Sequence, residues 1–188
     1  MNTFEAINAR KSVRTYQSKP VEVEKIKAIV EAGNMAAGTP MAGKVYFNVI
    51  SNPELLQQMA SGTKAVMQKS GVEMLVKLSS NPDYNPIYNA PVAVVVSTDP
   101  ASDPNTQAMS TANAACAGEN MLIAATELGL GSCYLMSPTM AFNIPQIREA
   151  AKLSESVQPV ALIVFGYTDD VTPHDARSEQ PDNIIYID

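Results

Sequence analysis

The sequence predicts an α+β or a three-layer α/β domain, because helices are mixed among apolar strands. Two continuous apolar runs, "VAVVV" at 92–96 and "PVALIVFGY" at 159–167, are typical of strands buried on both faces. Segments with helical spacing of apolar or small residues lie between the strands. With 188 residues, of which 46% are hydrophobic and 17% charged, the chain can bury a core, and we expect one domain over 1–188.

The first half of the chain is predicted to place helices on either side of one strand. Phe4 and Ile7 lie three residues apart and indicate a short helix near the N-terminus. A second helix follows Pro20 and stops at Gly33. The predicted elements are helix 2–9, helix 22–32, a loop at 35–43, strand 45–50, helix 53–60 and helix 63–78.

The second half is built around one long helix of small residues. Its alanines and Gly118 allow a neighbouring backbone to approach closely, so we expect this helix at the centre of the domain or of a dimer. The polar tail at 168–188 ends in "NIIYID", a candidate edge strand. The predicted elements are a loop at 79–91, strand 92–96, helix 106–128, strand 131–136, helix 145–153 and strand 159–167.

The overall charge argues against extended polyanionic partners. A formal net charge of −6 and a pI near 4.8 disfavour broad binding to nucleic acid or to an anionic membrane, both of which need positive surface. No signal-peptide pattern and no apolar run of about 18 residues occurs, so we expect a cytoplasmic protein.

Metal and disulfide chemistry is disfavoured by the cysteine and histidine content. The two cysteines, Cys116 and Cys133, lack metal-ligand spacing, and His174 is the single histidine. We expect no metal site, and we expect both cysteines to be inert core residues.

The stretch "ARKSVRTY" at 9–16 concentrates positive charge in an acidic chain. In an extended segment, side chains two residues apart share a face, so Arg10, Ser12 and Arg14 point together while Lys11 points away. Two guanidinium groups and a hydroxyl make a suitable clamp for a phosphate. A solvated charged turn is the alternative, and on this stretch alone it is favoured. No Rossmann glycine fingerprint and no P-loop accompanies the cluster.

Four segments, taken in order, resemble the FMN-dependent nitroreductase family. The segment 10–14 is similar to the family element R-[RKH]-S-x-[RK], and 36–50 is similar to its A-P-S-x-x-N-x-Q-P-W-x-F-x-V-V element. The central helix closes on "AATELGLGSCY" at 124–134, and "PVALIVFGY" at 159–167 precedes a tail with Arg177. The resemblance covers nearly the whole chain, and the ordered set makes the charged-turn alternative for 10–14 the less favoured one.

The resemblance implies an α+β, three-layer α/β/α fold with a central mixed, mostly antiparallel sheet. It also implies an intertwined homodimer with two FMN sites at its interface. No catalytic side chain is implied, because the flavin N5 atom carries the hydride. The implied cofactor-binding residues are Arg10, Lys11, Ser12, Arg14 and Arg177 at the phosphate and ribityl chain, Ala37, Gly38, Thr39 and Met41 in a loop contributed by the partner subunit, and Leu135, Met136 and Ser137 along the other flavin edge.

The chain departs from the family pattern within the second element. Met41, Gly43 and Val45 stand where the family has asparagine, glutamine and tryptophan, so the amide contact expected at Met41 is missing. The cation that relatives place near the flavin N1–O2 edge is not identified by the sequence. The candidates for it are Lys44, Lys64 and Lys69.

The resemblance implies hydride transfer from NAD(P)H through FMN to a nitroaromatic, a quinone or a similar small acceptor. Two alternatives stay open: another redox chemistry on the same fold, such as reductive dehalogenation or dehydrogenation, and a flavin-binding or cofactor-free interaction protein. Candidate pocket walls are Tyr84, Tyr88, Tyr134 and Met136, for which ordinary half-buried packing is the alternative.

Overall fold

The computed structural model describes residues 1–170 and 184–187 of the chain. Four strands form one sheet in the order β1-β2-β4-β3, and all three neighbouring pairs are antiparallel. An isolated parallel bridge joins Ser12 to Ser132 at the outer edge of β3, while the strands of the described chain pair antiparallel, in line with the expected mostly antiparallel sheet. The strands are β1 Val45–Ile50, β2 Val92–Thr98, β3 Gly131–Leu135 and β4 Gln158–Gly166.

Helices cover both faces of this sheet, which confirms the predicted three-layer α+β architecture. One face carries α2 and α5, and the other carries α3, α6 and the 3₁₀ segment Ser137–Asn143. The helices are α1 Thr3–Ala9, α2 Val23–Asn34, α3 Pro53–Gln68, α4 Glu73–Ser80, α5 Pro104–Glu127 and α6 Pro145–Ala150, and a second 3₁₀ segment covers Pro40–Ala42.

The run 92–96 within strand β2 is apolar because it packs on both faces of the sheet. Val94 and Val96 pack toward α2 and α5, whereas Ala93 and Val95 pack toward the α3 layer. All seven residues of β2 are buried. Because both faces are covered, polar residues cannot alternate with apolar ones along this strand.

The small residues of α5 allow the close packing that the sequence predicts. A Cβ atom on Gly118 would lie 2.7 Å from the ring of Tyr134, and one on Gly33 of α2 would lie 2.7 Å from the Met121 side chain. Asp103 caps the helix by accepting hydrogen bonds from the backbone of Asn105 and Thr106. Helix α5 therefore lies against the sheet and α2 together.

Residues 53–80 form two helices, as predicted, but the predicted position of the break between them was wrong. Helix α3 continues through Gly62, which packs against Ile144 and Ile147 where a side chain has no room. The chain turns instead at Gly71, whose φ of +71° favours glycine. The glycine at 62 therefore serves packing, and the glycine at 71 serves the turn.

Two further predictions were also wrong. Cys116 is exposed, because it lies on the outer face of α5 rather than in the core, while Cys133 is buried as predicted. The terminal residues Ile184–Ile187 form no strand within the chain, and their side chains are exposed.

Candidate functional site

The basic segment 10–14 runs along the outer edge of strand β3. Ser12 forms the parallel bridge to Ser132, and the Val13 N–H donates to the Ser132 carbonyl at 2.9 Å. The Val13 side chain is buried and packs over Gly131. This pairing holds the segment in the extended conformation in which alternate side chains share a face.

Three side chains of the segment approach the thiol of Cys133. Burial raises the pKa of the Cys133 thiol, whereas Arg14, a hydrogen bond with Ser12 and the charge of Arg10 act in the opposite direction. Lys11 points elsewhere and pairs with Asp170 at 2.8 Å. The Ser12 hydroxyl and the charges of Arg10 and Arg14 thus act on the same thiol, whereas Lys11 does not.

The two arginines of this cluster differ in their partners. The Arg10 Nε lies 3.3 Å from a Glu119 carboxylate oxygen of α5, and the Arg10 side chain is only 15% exposed. Arg14 is exposed, and within the described chain it forms no ion pair with a carboxylate. Its recorded hydrogen bond is a long contact of 3.5 Å to the Ser12 carbonyl. Within residues 1–170 and 184–187, no carboxylate therefore competes with an anion for the Arg14 guanidinium.

The three residues predicted at the flavin edge follow directly from β3. Leu135 ends the strand and is buried, Met136 is 65% exposed, and Ser137 begins the 3₁₀ segment. Burial raises the pKa of the Tyr84 hydroxyl, and a hydrogen bond with Ser137 opposes this shift. From Ser132 to Met136 an extended strand spans about 13 Å at 3.3 Å per residue, so the basic cluster and Met136 lie along one edge.

Tyr16 is a residue of this edge that the motif comparison missed. Its hydroxyl donates to the Val13 carbonyl at 2.8 Å, and its pKa is raised by burial, with Cys133 and Tyr88 adding to the shift. Tyr16 follows Arg14 by two positions, so the same alternation that predicts the basic cluster would have found it. Tyr88 itself has a φ of +55° in the loop before β2.

The loop 36–44 forms a second region, held against the far part of α5. The Thr39 N–H donates to Asn113 Oδ1 at 3.0 Å, and Asn113 Nδ2 donates to the Thr39 carbonyl at 3.0 Å. Ala37, Gly38 and Met41 remain exposed, with 79% of Met41 accessible. No sequence motif pointed to Asn113, because an isolated asparagine inside a helix carries no signal for a loop contact.

Further contacts hold the C-terminal half of this loop. Ser110 Oγ donates to the Ala42 carbonyl at 3.0 Å, and the Lys44 N–H donates to Asp99 at 2.8 Å. The Tyr46 hydroxyl also donates to Asp99 at 2.8 Å. The hydrogen bonds from Lys44 and Tyr46 lower the pKa of the Asp99 carboxyl, which therefore stays ionised and keeps its grip on the loop.

No hydrogen bond joins the two regions within residues 1–170 and 184–187. The side-chain hydrogen bonds of the loop go to α5 and Asp99, and its backbone bonds stay within the loop or reach Gly33. A cavity of about 390 Å³ lies behind the loop and is lined by Lys44 and Asn113 among others. Arg177 lies outside the described residues.

Two of the three candidate cations have defined surroundings. Lys64 donates to the carbonyls of Asn81 and Tyr84, at 2.8 and 3.1 Å, so it supports the loop before β2. Lys69 ends helix α3. Tyr84, Tyr88 and Tyr134 are half-buried, which also suits ordinary packing.

Other classes of site find no support in the part of the chain described. No group of three histidine, cysteine, aspartate or glutamate side chains there is arranged to hold a metal ion. No helix in residues 1–170 or 184–187 combines the length and apolar character needed to cross a bilayer.

Known proteins share both the sequence pattern and the fold. A protein from Methanothermobacter thermautotrophicus, named as a candidate NADH dehydrogenase/NAD(P)H nitroreductase, is 26% identical over 171 residues, which is 89% of this chain and 78% of the relative. A nitroreductase from Bacteroides fragilis, crystallised with bound FMN, superposes with a TM-score of 0.88 at 26% identity over 100% of both chains. The fold is shared by an FMN-bound nitroreductase from Desulfitobacterium hafniense, with a TM-score of 0.83 at 21% identity over 100% of both chains.

The family model itself spans most of the chain and both regions of the site. It matches residues 7–167, which include the basic segment, the loop and the whole sheet. The chain therefore belongs to the nitroreductase family.

Proposed function

We propose that this protein is an FMN-dependent oxidoreductase, which takes hydride from NAD(P)H and reduces small acceptors such as nitroaromatics or quinones. One observation carries the proposal: the extended segment with Arg10, Ser12 and Arg14 pairs with the edge of β3 at Ser132, and Arg14 lacks a carboxylate partner in the described chain. The names of the relatives, an NAD(P)H nitroreductase and a nitroreductase with bound FMN, support it.

The basic cluster fits the phosphate end of FMN. A phosphate carries close to two negative charges at neutral pH, and arginine binds it through two parallel charge-assisted hydrogen bonds. Glu119 contacts Arg10 from α5 and restricts its guanidinium, so that Arg10 is oriented before an anion arrives. Ser12 adds a neutral donor between the two cations. In a chain of net charge −6, such a local positive site is needed to attract an anion.

Residues 135–137 and the loop 37–41 fit the ring end of the cofactor. When bound, the flavin would accept a hydride equivalent and pass it to the acceptor, so the protein needs no nucleophile or metal. Met136 offers exposed apolar surface next to the buried Leu135, and Ser137 is restrained by its hydrogen bond with Tyr84. We assign Ala37, Gly38, Thr39 and Met41 to the opposite edge.

We further propose that the protein is a homodimer with FMN at the interface. Within the described residues no hydrogen bond joins the loop to the basic segment, so we assign the loop at each basic segment to a second copy of the chain. Phe4 is 78% exposed on α1, and the outer edge of β1 has no partner strand in the described chain. The outer face of α5 also exposes a stripe of small residues: Ala108, Ala112, Ala115 and Cys116.

Colour is the first test of this function. The purified protein, incubated with FMN and desalted, should retain about one flavin per chain and absorb in the visible range. Anaerobic NADH or NADPH should then bleach the flavin, and a nitroaromatic or quinone should restore its colour. A protein that retains no flavin after incubation contradicts the proposal, and a flavin that neither nucleotide reduces contradicts the NAD(P)H part of it.

A further inference from the structure

We propose that Asn113 is a positioning residue, which holds the segment 37–41 in the conformation that meets the flavin bound by the partner subunit. This inference rests on the proposed FMN function and homodimer. Asn113 lies within α5, 74 positions after Thr39 in sequence, and its residue is only 9% exposed. Its role would be to set the place of the loop rather than to touch the reacting atoms.

The contact between Asn113 and the loop is bidentate. The side-chain oxygen accepts from the Thr39 N–H and the side-chain nitrogen donates to the Thr39 carbonyl, both at 3.0 Å. An amide is suited to this because it carries an acceptor and donors on one planar group. The side chain thereby forms with Thr39 the two hydrogen bonds that a neighbouring strand would form with its backbone. Two bonds to one residue restrict both the position and the direction of its backbone.

The neighbouring glycine shows how closely the loop packs on this amide. A Cβ atom on Gly38 would lie 2.9 Å from Asn113 Cγ, 3.0 Å from its oxygen and 3.1 Å from its nitrogen. Any side chain at position 38 would therefore lift the loop from α5. The contact between Gly38 and Asn113 therefore determines the position of the exposed residues Ala37, Gly38 and Met41.

Asn113 holds the half of the loop that the other anchors leave unsupported. Ser110 and Asp99 bind Ala42 and Lys44, at the C-terminal end. In the described part of the chain, the recorded side-chain hydrogen bonds to residues 37–39 come from Asn113. Met41, which replaces the asparagine of the family pattern, offers no amide for this purpose. The conformation of 37–39 thus depends on an amide from another element.

The test compares Asn113→Ala with Asn120→Ala in the full-length protein. Asn120 is the matched control, because it is another asparagine of α5 and donates to the Ala32 carbonyl at 3.0 Å, away from the loop. Hydrogen exchange of 36–43, the visible flavin spectrum and the FMN dissociation constant are measured for both variants and the wild type. For Asn113→Ala we expect the hydrogen-exchange rate of the Thr39 amide to rise about tenfold. We also expect the FMN dissociation constant to rise about tenfold and the flavin spectrum to shift. Asn120→Ala should match the wild type in all three.

Each outcome bears on a different part of the inference. If the wild type binds FMN, and Asn113→Ala keeps its affinity and spectrum although its loop exchanges faster, the positioning role is overturned while the FMN function stands. If the wild type binds no FMN, the proposed function fails and the flavin-directed role of Asn113 fails with it. If Asn113→Ala does not fold, Gly38→Ala is used instead, because it displaces the loop from α5 by a change at an exposed position. A wild-type spectrum and affinity in that folded variant would overturn the proposal.

Discussion

The two regions assigned to FMN are held in place by different means. The basic segment 10–14 is a continuous extended run that pairs with β3 through its own backbone, so its side chains alternate by geometry. The loop 36–44 contains only one short 3₁₀ turn, and side chains 55 to 74 positions later hold it. The first region depends on backbone pairing with β3, whereas the second depends on side chains of α5 and on Asp99. Changes to the two regions should therefore have different consequences.

The largest expected effect comes from removing the charge of the basic segment. Arg10→Ala with Arg14→Ala should leave a folded protein that binds FMN at least about a hundredfold more weakly, because each lost arginine removes charge-assisted hydrogen bonds. The FMN dissociation constant, measured by quenching of flavin fluorescence, checks this, and circular dichroism checks the fold.

The matched control for this pair is Lys27→Ala with Lys77→Ala. It removes the same charge from exposed helix positions on α2 and α4, so it separates the local cluster from the net charge of the chain. Equal losses of affinity in the two double variants would show that segment 10–14 is not a specific phosphate site.

A smaller effect is expected from strain at the second region. Gly43 ends the 3₁₀ turn with a φ of +74°, and a Cβ atom there would overlap the Asp99 carboxylate. Gly71 has a φ of +71° with nothing near its Cβ position. Gly71→Ala should lower the free energy of unfolding by about 1 kcal/mol through backbone strain alone. Gly43→Ala should lower it by about 1 kcal/mol more and also weaken FMN binding.

Urea unfolding and FMN titration of both glycine variants provide the measurement. If Gly43→Ala loses no more stability than Gly71→Ala, then Asp99 does not fix the loop in solution. In that case the contrast between the segment 10–14 and the loop 36–44 would be weakened.

The smallest expected effect comes from restoring the amide of the family pattern. Met41→Asn should tighten FMN binding by about three- to tenfold, since one added neutral hydrogen bond contributes about 0.5–1.5 kcal/mol. Met74→Asn is the control, because Met74 is 70% exposed on α4, outside both regions. Isothermal titration with FMN measures both variants. Unchanged or weaker binding by Met41→Asn would indicate that position 41 does not face the cofactor.

The sheet was largely predictable, and the helix boundaries less so. Strand β1 begins and ends where the sequence predicts, and "VAVVV" lies within β2, because runs buried on both faces are apolar throughout. The break near Gly62 was misplaced, because a glycine that makes room for Ile147 and a glycine that adopts positive φ are identical in sequence.

The candidate site was predictable where it depends on spacing. The period of two in an extended segment predicts that Arg10, Ser12 and Arg14 share a face, and it also includes Tyr16. The residues that hold the loop 36–44 do not follow a sequence period of this kind. Asn113 and Asp99 act on residues far away in sequence, and nothing in their own neighbourhoods marks them for that role.

The sequence by itself therefore determined the α+β class, the buried strands and the alternating basic segment, because each follows from periodicity within a few residues. The four ordered motifs also led to the nitroreductase family, which the match over residues 7–167 confirms. Only the tertiary structure decided which side chains hold the loop and which arginine lacks a carboxylate partner in the described chain. Such contacts join residues that the chain separates, and they exist only after the helices have packed on the sheet.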